Sequence, residues 1–294
     1  MNLGPVPHHD AKLHSAPWLA AARQLPGVVI ELGARLADYT TFRLGGPCAA
    51  LVQCASSDPV PALIALWSEH EVRWRLLGGG SNVLVSDRGV PEVVLRLAQQ
   101  GGEICEEGGV LDVPAGMPLD LLAEECARRG WDGFVFANGI PGTVGGAIAG
   151  NAGAFGEDMG DRVVSLTVCD SAGRVSDLSP AACGFRYRHS DLAESGRVIL
   201  RARLAVGRAD AAVLLAERER ILTERRAKHP DWRLQPTAGS FYRNIEPSSA
   251  AERRRAAGWF LEQAGAKQFR EGGARGAPGA GARQRVGRPG ADCR

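Results

Sequence analysis

"LLGGGSNVLVSD", Leu76 to Asp87, sets three consecutive glycines between apolar flanks. Ordering glycine costs more conformational entropy than ordering any other residue, so a run of it needs a physical cause. One cause is a tight turn. The other is close approach of bare main-chain amides to a phosphate, because successive N–H groups form a concave anion site. The flanks constrain the choice. "WRLL" (Trp74–Leu77) and "NVLVSD" (Asn82–Asp87) predict short strands, so the loop joins strand to strand. A G-x-G-x-x-G dinucleotide loop opens a helix instead, and the P-loop lysine is missing. Taken alone, the triplet suits both a turn and a non-Rossmann ligand loop.

Outward from this loop the pattern is mixed. "AALVQCA" (Ala49–Ala55) predicts a buried strand. A helix follows, with Asp58 as N-cap, Pro59 in the first turn, and Leu63, Ile64 and Trp67 at helical spacing. "EVVLRL" (Glu92–Leu97) and "VLDVPAG" predict strands. "MPLDLLAEECARRG" predicts a helix with Leu119, Leu122, Ala123 and Cys126 on one face. "RVVSLTVCDSAGRVSDL" reads as a hairpin turning at Asp170–Gly173, and "RVILRARLAV" as a further strand. Charged amphipathic helices are expected over 210–228 and 251–264. Residues 1–26 are expected to be an extension or a short helix near Trp18–Leu25.

The bulk composition narrows the function classes. The formal charge is only +2, and residues 271–294 alone supply five Arg against Glu271 and Asp292. The rest is slightly acidic, which excludes a nucleic-acid footprint. Seven scattered cysteines with no C-x-x-C pair argue against a disulfide framework or a zinc site, so no metal is expected. No apolar run approaches a membrane span of roughly 18 residues, and His8, His9 and Asp10 interrupt any signal-peptide core. A cytoplasmic protein and a monomer are expected.

A second glycine-rich stretch, "ANGIPGTVGGAIAGNAGAFG" (Ala137–Gly156), carries seven glycines and no charged residue. Long loops of this kind in compact domains are usually functional, and a small-residue surface suits a flat, partly apolar ligand. With "TTFRLGGP" (Thr40–Pro47), "FRYRHSDL" and "PTAGSFYRN", the two glycine stretches occur in the order that resembles the UDP-N-acetylenolpyruvoylglucosamine reductase (MurB) family. The likeness runs from about residue 27 to 273.

That resemblance implies an α+β fold: a two-subdomain FAD-binding domain of the vanillyl-alcohol-oxidase/PCMH type plus an α+β C-terminal substrate domain, here incomplete. The corresponding boundaries are 1–26 for an extension, 27–206 for the FAD domain (subdomains about 27–88 and 89–206), 207–273 for the substrate domain and 274–294 for a tail. It implies FAD and NADPH as cofactors, a nucleotide-sugar substrate, and reduction of an enolpyruvyl ether to a D-lactyl ether in peptidoglycan precursor synthesis. Gly78, Gly79, Gly80, Ser81, Asn82 and Val83 match the pyrophosphate loop. Ile140, Pro141, Gly142, Thr143, Gly145, Gly146, Asn151 and Gly153 match the lining of the dinucleotide and flavin. Ser240 matches the family's proton donor and Arg188 its enolate-stabilising arginine. Tyr187, Arg243, Asn244 and Gln263 match substrate contacts. On local grounds alone, Ser240 reads as a turn residue and Arg188 as a surface arginine at a strand end, while Gln263 suits a solvated helix face as well as a binding role.

The chain also departs from the family. His189 stands where Asp is usual after Arg188, and Arg243 where Lys is usual. The family's C-terminal L-x-P-E-V segment has no match. Gly, Ala, Pro and Arg instead fill 19 of the 24 positions in 271–294, with Val286 the only large aliphatic residue. Such a segment buries too little to order itself, so disorder is expected there. The abrupt change near residue 274 is read as a frameshift or a truncation that impairs turnover. The alternatives are a non-catalytic flavin-binding remnant and a different flavin oxidase sharing the FAD domain. The single helix between Val206 and Pro230 resembles the shorter form of the family, which lacks a substrate-capping tyrosine loop.

Overall fold

The computed structural model describes residues 16–97, 102–228, 231, 233–237, 244, 257–271, 274–276 and 284–285. Helix α1 (Pro17–Ala22) leads into β1 (Val28–Leu32), β2 (Cys48–Cys54), helix α2 (Val60–Glu69), β3 (Trp74–Leu77) and β4 (Val90–Leu97). These strands form one sheet in the order β1-β2-β4-β3, antiparallel at β1/β2 and parallel elsewhere. β2 and β4 read as near-continuous apolar runs because both of their faces are covered. On one face lie α2 and α1, with Trp18 edge-on to Trp67 at 6.1 Å. Trp18, Leu19 and Ala22 are buried, so the first core begins within the expected extension. On the other face Leu51, Leu77 and Val94 pack with Leu36, Val83 and Val85.

The expected strand at Asn82–Asp87 does not form. Val83–Ser86 joins no strand ladder, and strand pairing resumes only at Val90. Parallel neighbours need a crossover of about a dozen residues, and Gly78–Gly89 is that crossover. Alternating Val83 and Val85 mimic a strand because they pack inward from a loop. β4 sits at the centre of this sheet, so the sheet extends to Leu97, past the break expected near residue 88.

The second sheet is antiparallel, in the order β11-β10-β12-β6-β5. Its strands are β5 (Cys105–Glu107), β6 (Val110–Pro114), β10 (Val163–Cys169), β11 (Val175–Leu178) and β12 (Val198–Ala205). Between β6 and β10 lie α3 (Leu119–Arg128), β7 (Trp131–Asp132), α4 (Val144–Ala149) and the small hairpin β8 (Gly153–Ala154) and β9 (Glu157–Asp158). Helix α4 lies inside the second glycine stretch, where the sequence predicts loop. Two glycines weaken its propensity by about 1 kcal/mol each. Thr143 offsets this by capping it, accepting from Gly146 N, and Gly145 N donates to Ala115 O at 2.8 Å. One continuous core joins α2, α3, α4 and the second sheet.

β13 (Gly207–Arg208) pairs with β7 and leads to α5 (Ala211–Lys228), the first of the two charged helices. The described part of the second is α6 (Ala257–Gln263). β14 (Arg270–Glu271) pairs antiparallel with β15 (Ala274–Gly276), and β15 with β16 (Gln284–Arg285), the last two in the tail where disorder is expected. The remaining tail residues lie outside the described ones. No helix among the described residues is long and apolar enough to cross a membrane.

Candidate functional site

The two glycine stretches, about 60 residues apart in sequence, meet. A Cβ on Gly79 would lie 2.7 Å from the Gly142 Cα, and one on Gly142 would lie 2.8 Å from the Ser81 Oγ. Both distances are shorter than real Cβ contacts, so the seam closes only because side chains are absent. Ser81 Oγ donates to Pro141 O at 2.9 Å across it. The segment Pro141–Val144 is fixed from behind. Leu119 N donates to Gly142 O and Val144 N to Met117 O.

Along the seam, the amides of Gly79, Gly80, Ser81 and Asn82 meet no acceptor among the described residues. Four successive unpaired N–H groups are the donor set an anionic oxygen cluster requires. A glycine-lined cradle with free amides therefore fits a dinucleotide pyrophosphate. The α4 amides differ. Val144, Gly145 and Gly146 donate to Met117 O, Ala115 O and Thr143 Oγ1, so this helix start is a packed support.

"TTFRLGGP" closes the other side of the loop. Thr41 N donates to Gly80 O at 3.0 Å, and Gly46 N to Ser86 O at 2.8 Å. Thr41 also reaches forward in sequence. Its Oγ1 donates to Thr237 O at 3.0 Å and its carbonyl accepts from Thr237 N at 3.2 Å. The chain entering "AGSFYRN" is thus anchored on the first glycine loop. Ser240 and Arg243 themselves lie outside the described residues.

Arg188 sits at the tip of a two-residue turn, closed by Arg186 N to His189 O and His189 N to Arg186 O, both 3.0 Å. Its φ of 55° is a left-handed conformation that a bulky residue adopts only under constraint. Asn151 supplies that constraint. Its Nδ2 donates to Arg186 O at 3.0 Å and its Oδ1 accepts from Gly160 N at 2.8 Å. Both ends of the Asn151 side chain thus help to position the turn, and each keeps capacity for one further hydrogen bond. Gly153 lies in the β8/β9 hairpin, where a Cβ would strike Glu157 O. His189, in place of the usual Asp, contacts Asp191 Oδ1 at 3.1 Å and Arg186 at 2.6 Å. Arg188 is held instead by the turn and by the Tyr187 ring, 5.6 Å from its Cζ. Ile140 packs on the core beside the seam.

The remaining predicted substrate residues, Asn244 and Gln263, both meet α6. Asn244 Oδ1 accepts from Ala257 N at 3.3 Å, and Gln263 is exposed near the helix end. A surface hollow of about 550 Å³, lined by Trp18, His70, Arg73 and Pro91 among others, contains none of the predicted site residues.

Several participants are not assigned by the sequence reading. Asp120 Oδ1 accepts from Gly139 N at 2.8 Å and from Arg218 at 2.7 Å. Arg218 also donates to Asn138 Oδ1 and to Glu124 at 3.3 Å. Burial alone would raise the Asp120 pKa, but Arg218 and the Gly139 amide together hold it below the usual carboxylate value. Thr41 stood inside a quoted motif. Asp120, Arg218 and Arg225 carried no signal, because in a charged helix they look like solvated polar positions.

Comparison with known proteins agrees with this geometry. A FAD binding domain model matches residues 47–179. The chain is 37% identical over 247 residues to UDP-N-acetylenolpyruvoylglucosamine reductase of Synechococcus sp. (strain JA-3-3Ab), covering 83% of this chain and 76% of that protein. It is 38% identical to reductase 2 of Symbiobacterium thermophilum, over 81% and 75% of the two chains. The crystal structure of the MurB reductase from Thermus caldophilus superposes with TM-score 0.72 at 31% identity, covering 90% of this chain and 89% of that one. The described geometry and these matches together establish that the chain is an oxidoreductase and belongs to the UDP-N-acetylenolpyruvoylglucosamine reductase family.

Proposed function

We propose that this chain binds FAD across the Gly78–Val83 and Ile140–Gly146 seam, uses NADPH, and reduces UDP-N-acetylglucosamine enolpyruvate to UDP-N-acetylmuramate. The observation that carries the reading is the run of four amides, Gly79 to Asn82, that meet no acceptor among the described residues, against a glycine-lined seam. FAD, when bound and reduced by NADPH, supplies hydride to the enol carbon distal to the ether oxygen.

Hydride addition leaves negative charge on the adjacent carbon and its carboxylate. The Arg188 guanidinium, planar and permanently charged, stabilises that anion, and its constrained turn holds it there in advance. Ser240 donates the proton. A serine hydroxyl is a weak acid, so this role depends on position and on nearby positive charge. The Thr41–Thr237 pair supports the placement by anchoring the chain three residues before Ser240. Tyr187, Arg243, Asn244 and Gln263 hold the nucleotide-sugar. On this reading the enzyme works as a cytoplasmic monomer in peptidoglycan precursor synthesis.

The non-catalytic alternative rests on one sequence observation: after Gly273 no L-x-P-E-V match follows. An acid–base residue contributes about 10²–10⁴ in rate, so slow turnover is the expected outcome. Stopped-flow mixing separates the readings. Flavin bleaching by NADPH followed by reoxidation with enolpyruvyl substrate supports the reductase. Bleaching reversed only by oxygen supports an oxidase, and absence of bleaching supports a remnant. A purified chain with no affinity for FAD would sink all three.

A further inference from the structure

Helix α5 presents two arginines, seven residues apart, to the segment that precedes the seam. Arg218 is paired with carboxylates, bonding Asp120 and Glu124 as well as Asn138. Arg225 is not. A Cβ on Gly139 would lie 2.9 Å from its Cδ, so its stem packs directly on Gly139, the residue before Ile140. One terminal nitrogen makes a long bond, 3.4 Å, to Phe136 O. Its Nε is buried with no partner. No carboxylate pairs with it among the described residues, and Asp120, the acid in its field, is committed to Arg218 and Gly139. Arg188, another cation, lies within its electrostatic reach.

Two further features mark the place. Arg225 Cζ lies 5.9 Å from the centroid of the Phe155 ring. Phe155 is 61% exposed and has φ 56°, so a large apolar side chain is held outward by a strained backbone. A buried donor without an acceptor costs about 1–3 kcal/mol, more when charged, and a second guanidinium within electrostatic reach adds repulsion. An anion between them removes both penalties.

We propose that Arg225 is a ligand-binding residue of the cleft, its guanidinium joining that of Arg188 to bracket a planar, delocalised oxyanion beside Phe155. This rests on the flavin-site reading above. Two sources carry such chemistry: the enolpyruvyl carboxylate, and the pyrimidine edge of the flavin, which gains negative charge on reduction. Arginine fits either through its planar fork of donors.

The test uses the full chain loaded with FAD, as wild type, Arg225→Met and Arg225→Lys. Methionine keeps an apolar stem against Gly139 and loses the charge; lysine keeps the charge and loses the fork. Thermal melting verifies that each variant folds, and if the methionine variant fails, the lysine variant carries the test with an expected shift of about threefold. The readouts are the flavin midpoint potential and the dissociation constant of the enolpyruvyl substrate for the oxidised enzyme. A tenfold loss of substrate affinity in Arg225→Met at constant potential assigns the carboxylate. A potential more negative by about 30 mV, tenfold in a two-electron equilibrium, at constant substrate affinity assigns the flavin. A shift in both also supports the role. Both quantities within twofold of wild type in both variants overturns it. Wild-type protein that binds no FAD sinks the underlying reading before any variant is made.

Discussion

At Gly142 the backbone has φ 122°, and a methyl group there would meet Ser81 Oγ. Gly142→Ala is therefore expected to cost about 1–3 kcal/mol of stability, read by urea titration, from backbone strain. It should also weaken FAD binding at least tenfold, read by flavin fluorescence, because the seam must open. A variant with wild-type flavin affinity would show that the seam is not the cradle. Buried thiols give a second residue-scale outcome. Burial pushes Cys54 and Cys126 up to about 12, from an ordinary value near 9. In the unfolded chain they ionise near pH 9, while in the folded chain they keep their protons. The unfolded state then binds fewer protons, so stability falls as pH rises from about 9 to 12. The slope reaches about 1.4 kcal/mol per pH unit for each thiol. Cysteine-to-alanine variants at either position should flatten that slope in alkaline denaturation.

Helix α5 is joined to α3 and to the glycine segment by the Asp120–Arg218 contact. Arg218 is 11% exposed and Asp120 32%, so the pair lies between a surface bridge and a buried one. Arg218→Met should cost about 2–3 kcal/mol in chemical denaturation, above the roughly 1 kcal/mol of a surface pair. A loss under 0.5 kcal/mol would mean that α5 is held by packing alone. With its pKa lowered, Asp120 contributes stability above its unfolded value, and this is lost as pH falls through the folded one. Elements with a clear period were legible in the sequence. The apolar spacing of Leu63, Ile64 and Trp67 gave α2, and the turn at Asp170–Gly173 gave the β10/β11 hairpin. Helix α4 was hidden because Val-Gly-Gly carries no propensity signal, and its stability comes from Thr143 and the Ala115–Met117 backbone. Val83 and Val85 misled in the opposite sense, since alternation reports burial and not pairing. The glycine segments were readable as a site because only a ligand or a close contact accounts for so many of them. Arg225 was unreadable, because a buried arginine and a solvated one look the same in a charged helix.

For the whole molecule, Thr41 stands between two regions far apart in sequence: Gly80 on one side and Thr237 on the other. The two polar bridges make the order of one region a condition for the order of the other. A small molecule that immobilises the first loop must then also suppress local opening of the second, by reciprocal linkage. Adding FAD to the apoprotein should thus slow tryptic cleavage after Arg233, by a factor that disappears in Thr41→Val. Equal cleavage rates with and without FAD would break the connection. On the proposed reading, occupancy by the nucleotide and the order of the chain at Thr237 are checked together, so cofactor loading precedes a finished substrate pocket.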